Sequence, residues 1–329
     1  MLKWHRIAAA AGTGALVLSG MATLALGSGV VGASTLRTTP AMCGTAATPP
    51  IYKHIVIVME ENYSYDSIYK SSQAPYINSV ISACGLATDY HNITHYSLPN
   101  YVGITDGMSV TQLHPYLNDC SPSPTCEVKA TQSSIFQELV GHGGWKSYEE
   151  SMPKNCDRSD SGNYAAKHNP AVYYLGLKDC STQDVPLGTT SGSALLKDFS
   201  SETTAPALAF VTPNLIDDMH NSSVKAGDDW LKVWLPLITS TKVYMDRDTA
   251  IFIVWDEGEP SVAGANCVDS TAQSCHVAMI VVAPSVKPGL KVAISYSHYS
   301  WLKTAEDLLG VAELGQAKSA TSMAKGFNL

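Results

Sequence analysis

Four apolar runs constrain this chain more than any other feature: residues 54–59 (HIVIVM), 207–211 (ALAFV), 249–255 (TAIFIVW) and 277–282 (VAMIVV). Each has strand length and is rich in β-branched residues. A strand with one wet face alternates polar and apolar positions, so continuous runs belong inside a sheet that is covered on both sides. Between them lie stretches with helical spacing, at 75–83, 99–104, 133–140, 228–238 and 299–309. The one from Asp228 opens with acidic residues, as the helix dipole favours, and aligns Trp230, Val233, Trp234 and Leu237 on one face. Strands alternating with helices predict an α/β fold, a three-layer sandwich around a mostly parallel central sheet.

The start of the chain stands apart from this pattern. Lys3, His5 and Arg6 form a short positive region, residues 7–33 carry no charge, and Val31-Gly32-Ala33 precedes Ser34 as a small-residue cleavage pattern. Residues 1–33 therefore read as a secretory signal peptide. The uncharged run is long enough to span a bilayer, but its Gly, Ala, Ser and Thr make it a poor membrane helix. No later stretch is long and apolar enough to span, so the processed protein is expected outside the cell with no membrane span. Residues 34–50, rich in Thr, Ala and Pro, read as a flexible leader, and 51–329 as a single domain. That is roughly 280 residues, near the upper size of one core.

Export changes what the eight cysteines mean. All of them follow residue 33, and an even count in an oxidising compartment predicts disulfides. Neighbouring pairs are Cys120 with Cys126, Cys156 with Cys180 and Cys267 with Cys275, which leaves Cys43 with Cys84. The Cys-x2-Cys spacing of a zinc site does not occur. Composition narrows the class further: 45% hydrophobic and 15% charged residues exclude a disordered or coiled-coil chain. The formal charge is −8, or −10 once Lys3 and Arg6 are removed, which excludes a grip on nucleic-acid phosphates.

Open α/β sheets bind ligands beyond the carboxyl ends of their strands. Met59 is followed by Glu60, Glu61, Asn62 and Asp66; Val211 by Asn214, Asp217, Asp218 and His220; Trp255 by Asp256, Glu257 and Gly258. Any one of these clusters could be a solvated loop. Three at one sheet edge are too many carboxylates to sit together uncompensated, and a divalent cation such as Mg, Ca, Mn or Zn is the natural partner. A second feature is His95-Tyr96-Ser97-Leu98-Pro99-Asn100-Tyr101. Pro99 suits a first helical turn and Ser97 its N-cap, where free backbone N–H groups converge. An ordinary cap would look the same, but a serine acting as phosphoryl acceptor needs such donors and a cation nearby.

Together these segments resemble the phosphoesterase family of secreted bacterial acid phosphatases and phospholipases C, within the alkaline phosphatase superfamily. The likeness runs through HIVIVMEENYSYDSI, APYINSV, HYSLPNYVGITDG, YAAKHNP, FVTPNLIDDMHNSSVKAGDDWL, FIVWDEGE and SHYSWLKTAEDLLGV. It implies metal ligation by Glu61, Asn62, Asp256 and Glu257, and a nucleophile, Ser97, that also touches the metal. His168 and His220 would line the phosphate site, one of them protonating the leaving oxygen, with His168 the first choice. His95, Asn100, Asp218 and His298 occupy motif positions on the substrate side. Where related sulfatases carry Arg shortly after the motif Pro, this chain has Asn100 and Tyr101, which argues against sulfate esters. The implied function is phosphate monoester hydrolysis through a phosphoserine, with a phosphoinositide or other phospholipid headgroup among the candidate substrates. A phospholipase C-type phosphodiesterase is the rival enzyme, and a secreted binding module without turnover is the rival of another class.

Overall fold

The four apolar runs become strands in the computed structural model, which describes residues 41–329. The expected signal peptide and the beginning of the expected leader lie outside those residues. Ten strands form among them: β1 (His54–Glu60), β2 (Gly85–Ala87), β3 (Tyr90–His91), β4 (Trp145–Glu149), β5 (Asp184–Pro186), β6 (Leu208–Thr212), β7 (Thr249–Trp255), β8 (Met279–Val282), β9 (Leu290–Val292) and β10 (Tyr296–Ser297). Eight make one sheet in the order β5-β4-β6-β1-β7-β8-β2-β9, and β3 pairs with β10. In the middle of the sheet β1 runs parallel to both neighbours, with Val58 opposite Val211 and Ile253. Every residue of β1 is buried, and each large apolar side chain there contributes about 1.5–3 kcal/mol relative to exposure.

One strand departs from expectation. The run at 277–282 is buried, but as β8 it pairs antiparallel with both β7 and β2. Residues 256–278 contain only a 3-10 turn and no crossover helix, so the chain returns beside β7 in the opposite direction.

Helices α1 (Pro75–Ala83), α2 (Ser97–Asp106), α3 (Val224–Thr239) and α4 (His298–Leu309) pack in pairs, α1 on α3 and α2 on α4, completing the three-layer sandwich. The helix expected at 133–140 is one turn, Ile135–Glu138, closed by a Ser134 capping box. Helix α3 begins at Val224 rather than Asp228, so its acidic pair is not in the first turn. Asp228 is instead buried and accepts the Ile77 N–H at 2.8 Å, capping α1 from outside. The buried face carries Trp230, Leu231, Trp234, Leu235 and Ile238, while Val233 is 50% exposed.

All four expected disulfides form. The Cys43–Cys84 bond corrects the reading of 34–50 as wholly flexible. Residues 43–46 are tied down, with Cys43 buried and the N–H groups of Thr45 and Ala46 both donating to the Pro284 carbonyl, while 47–49 are exposed.

Candidate active site

Because β6, β1 and β7 run parallel, their carboxyl ends open on one edge, and the segments beyond them cross-bond. Glu61 N–H donates to the Asp218 carbonyl at 2.8 Å, Asp256 N–H to the Glu60 carbonyl at 2.9 Å, and Asn62 N–H to Asp256 Oδ1 at 3.0 Å. The carboxylates therefore stand on backbone that the sheet itself fixes.

Ser97 is the first residue of α2 and is buried. Its hydroxyl does not cap the helix. It donates to Glu61 Oε2 at 2.9 Å and also stabilises the charged form of Asp256. A carboxylate is a stronger acceptor than a backbone N–H is a donor for a neutral hydroxyl, and the cap comes from elsewhere: Asp119 Oδ1 accepts the Leu98 N–H at 2.9 Å. Asn100 spends its whole amide on the turn before α2. Its oxygen accepts from the N–H groups of Ile93 and Thr94, and its nitrogen donates to the carbonyls of Thr94 and Tyr96. Asn100 thus positions Ser97 and presents no free atom to a substrate. Gly103 lets the helix approach closely, since a Cβ there would lie 2.6 Å from Ile93 Cδ1.

Glu61, Asp256 and Glu257 are buried around this hydroxyl with half-buried Asn62 beside them. Burial pushes Asp256 and Glu257 up to about 7, and it drives Glu61 well above the ordinary carboxylate range, reinforced by Asp256 and Asp218. The Asn62 side-chain oxygen faces only acceptors, Glu257 Oε1 and Glu61 Oε2 each at 3.2 Å, a grouping of oxygens that a shared cation would reconcile and that otherwise calls for the amide nitrogen. Glu61 Oε1 and Asp256 Oδ2 are buried without a hydrogen-bond partner. Buried, unpartnered carboxylate oxygens of this kind fit a hard divalent cation.

His168 ends a 3-10 turn, Ala166–His168, and is buried with its ring stacked on Tyr101, centroids 5.2 Å apart. Its Nδ1 lies 3.1 Å from Asp218 Oδ2, and its Nε2 lies 3.2 Å from Glu61 Oε1 without hydrogen-bond geometry. Burial, then Lys167 and His220, hold its pKa well below the usual histidine range, so the imidazole is neutral. Asp218, raised to about 7 chiefly by burial, fixes this ring and also accepts the His220 N–H at 2.7 Å. Half-buried His220 sits beside His168, ring centroids 5.2 Å apart, with its Nε2 3.2 Å from Lys167 Nζ. Ligand atoms of Glu61, His168 and His220 all lie within 4.8 Å of one another.

Two further residues, read from the sequence as lying on the substrate side, instead support the cage from behind. His95 Nδ1 bonds Glu257 Oε2, and its other ring nitrogen lies 3.4 Å from Cys267 Sγ. His298 Nε2 lies 2.7 Å from the Asp256 carbonyl and its Nδ1 3.2 Å from Tyr90 Oη, and burial brings its pKa down to about 4. Sequence reasoning passed over Lys167, Asp119 and Tyr101. Lys167 is one step before His168, and its charge is the signal that could have found it. A cleft of about 530 Å³, lined by Ser109, Asn266, Asp269, Ser297 and Gln316, includes none of these groups.

Comparison with known proteins adds an independent line. A model of the Phosphoesterase family matches residues 67–312, which include Ser97, His168, Asp218 and Asp256. A phosphatidylinositol-3-phosphatase of Mycobacterium tuberculosis is 28% identical over 299 residues, covering 89% of this chain and 90% of that protein. An acid phosphatase of Aspergillus fumigatus is 24% identical over 241 residues, covering 70% of this chain and 49% of that protein, so this chain spans about half the length of that relative. Among solved structures, an alkaline phosphatase superfamily protein of Vibrio parahaemolyticus shares the fold with TM-score 0.53 and 13% identity, covering 87% of this chain and 75% of that one. Murine ectonucleotide pyrophosphatase/phosphodiesterase 5, solved with AMP, gives TM-score 0.53 and 11% identity, covering 80% and 96%.

Proposed function

Since the chain belongs to the Phosphoesterase family and is a hydrolase of phosphoric ester bonds, we propose that it is a secreted, metal-dependent phosphomonoesterase that works through a phosphoserine on Ser97. The observation that carries this reading is the buried Ser97 hydroxyl at the start of α2, donating to Glu61 and flanked by Asp256. Glu61, Asn62, Asp256 and Glu257 would hold a divalent cation. When bound, the cation supplies the positive charge that lowers the serine pKa and offsets the phosphate oxygens.

The chain's own residues do the rest. Ser97 Oγ attacks phosphorus, its proton passing toward Glu61 Oε2, as the bond from phosphorus to the leaving oxygen breaks. The leaving oxygen takes its proton from water on the solvent-reached side of the site, where half-buried His220 stands. His168 is sealed and neutral and orients the site between Asp218 and Glu61. Water then cleaves the phosphoserine to inorganic phosphate and free Ser97. The relative named as a phosphatidylinositol-3-phosphatase favours a monoester substrate and makes a phosphoinositide headgroup the first to try. The disulfides, joining all eight cysteines, support export to an oxidising compartment.

Ser97→Ala tests the reading. Phosphate release from an aryl monophosphate should fall by at least about 10³-fold, the scale on which nucleophile removal acts, with unfolding temperature and metal content retained. Unchanged phosphate release would remove Ser97 from the mechanism.

A further inference from the structure

The carboxylate cage poses a question of charge that a single cation does not close: a monoester brings two negative charges, a diester one. Lys167 is the basic side chain whose field reaches Glu61, Asp218 and Asp256 alike. We propose that Lys167 makes the site prefer monoesters, by giving one N–H to the second anionic oxygen that a diester lacks. This rests on the phosphatase reading above.

The geometry around the ammonium group supports a held, partly used donor. One N–H goes to Asp119 Oδ2 at 2.8 Å and one to His220 Nε2 at 3.2 Å. An ammonium has three donors and no acceptor, so the third N–H is left for a ligand. His220 Nε2 must then be the lone-pair nitrogen, which makes Nδ1 the donor to Asn221 Oδ1 at 2.8 Å.

Asp119 links the lysine to the nucleophile. Its other oxygen accepts the N–H of Leu98, the residue after Ser97, so two hydrogen bonds set the height of Nζ over the start of α2. Asp119 is itself fixed. Its backbone is left-handed, φ 52°, and the next residue, Cys120, is bridged to Cys126 and accepts the Tyr173 hydroxyl at 2.8 Å on its carbonyl. Lys167 is thus the phosphate-binding cation of this reading and Asp119 its positioning residue. If the Lys167–Asp119 pair were only a structural ion pair, its loss would lower stability without changing which esters are cleaved.

The test compares p-nitrophenyl phosphate with bis(p-nitrophenyl) phosphate, which share a leaving group, using wild type, Lys167→Met, Lys167→Arg and Asp119→Asn with divalent cation present. In Lys167→Met we expect kcat/KM for the monoester to fall about 10²–10³-fold, the range for losing one charge-stabilising donor, and the monoester-to-diester ratio to fall at least about tenfold. Lys167→Arg should recover part of the ratio, and Asp119→Asn should move it the same way by less. Competitive inhibition by inorganic phosphate and by dimethyl phosphate reads the same ratio without turnover, and Asp119→Asn keeps the test open if Lys167→Met does not fold. Parallel losses on both esters, or an unchanged ratio in an active wild-type background, overturn this inference alone. A wild type that releases p-nitrophenol from neither ester, or from the diester alone, overturns the phosphatase reading and this inference with it.

Discussion

Glu306 in α4 makes the electrostatics of the fold measurable away from the catalytic chemistry. It has no exposed surface, accepts the Leu314 N–H at 2.9 Å through Oε1, and leaves Oε2 without a partner. Burial, opposed by the Leu314 bond and Lys303 and assisted by Glu313 and Asp307, pushes its carboxyl up to about 8 from the ordinary 4.5. The folded protein therefore keeps a proton that the unfolded chain gives up. Its contribution to stability is fully present below pH 4.5 and is lost as pH rises toward 8. At about 1.36 kcal/mol per pH unit, wild type loses about 3 kcal/mol from this one group between roughly pH 5 and 7.5. Glu306→Gln can keep the Leu314 bond and has no proton to lose. Its stability relative to wild type should rise by that amount over the same interval, or by roughly 6–12 °C in unfolding temperature for a domain of this size. Calorimetry on both proteins at the two pH values measures the difference, in which the buried acids of the catalytic edge cancel. A stability difference that stays the same at both pH values would refute the argument.

Two further outcomes follow from the cage and the staples. Treatment with EDTA should abolish phosphate release, whereas a rise to about 0.5 M salt should change it only severalfold, because buried ligands are poorly screened; full activity in metal-free protein would remove the cation from the reading. Replacing Cys43 and Cys84 by Ala opens a loop of 41 residues and should cost about 4 kcal/mol on the loop-entropy scale, read as a lower denaturation midpoint with the other three disulfides intact.

Much of this molecule was legible in its residues because two periodicities carry most of the fold. The helix at 75–83 and the strand at 249–255 have the bounds that their patterns predict. Strand β4 escaped notice because its polar groups are satisfied sideways and so leave no apolar run. Lys146 pairs with Asp198, and the Ser147 hydroxyl donates to Glu149. The direction of β8 was not legible either, since it depends on whether a connection contains a helix and not on the strand's own residues. At the site, the carboxylates announced themselves by following the strands. Lys167 and Asp119, far apart in sequence, meet only through the fold, and Asn100 and His298 could not be told from substrate-facing groups until their bonds to backbone were seen.

The central strand carries a further consequence for how the sequence can change. Glu60 and Glu61 stand side by side where β1 ends and both feel Asp218, yet the rest of their company differs: Glu60 feels Asp217 and Glu150, while Glu61 feels Asp256 and bonds Ser97. Alternation along the strand separates them, so inserting or deleting one residue between Ile55 and Glu61 would exchange the faces on which the two carboxylates stand and re-register every packed side chain of β1. Length variation in this chain should therefore fall outside the sheet, in exposed stretches such as 259–263, while β1 admits changes of side chain but none of length.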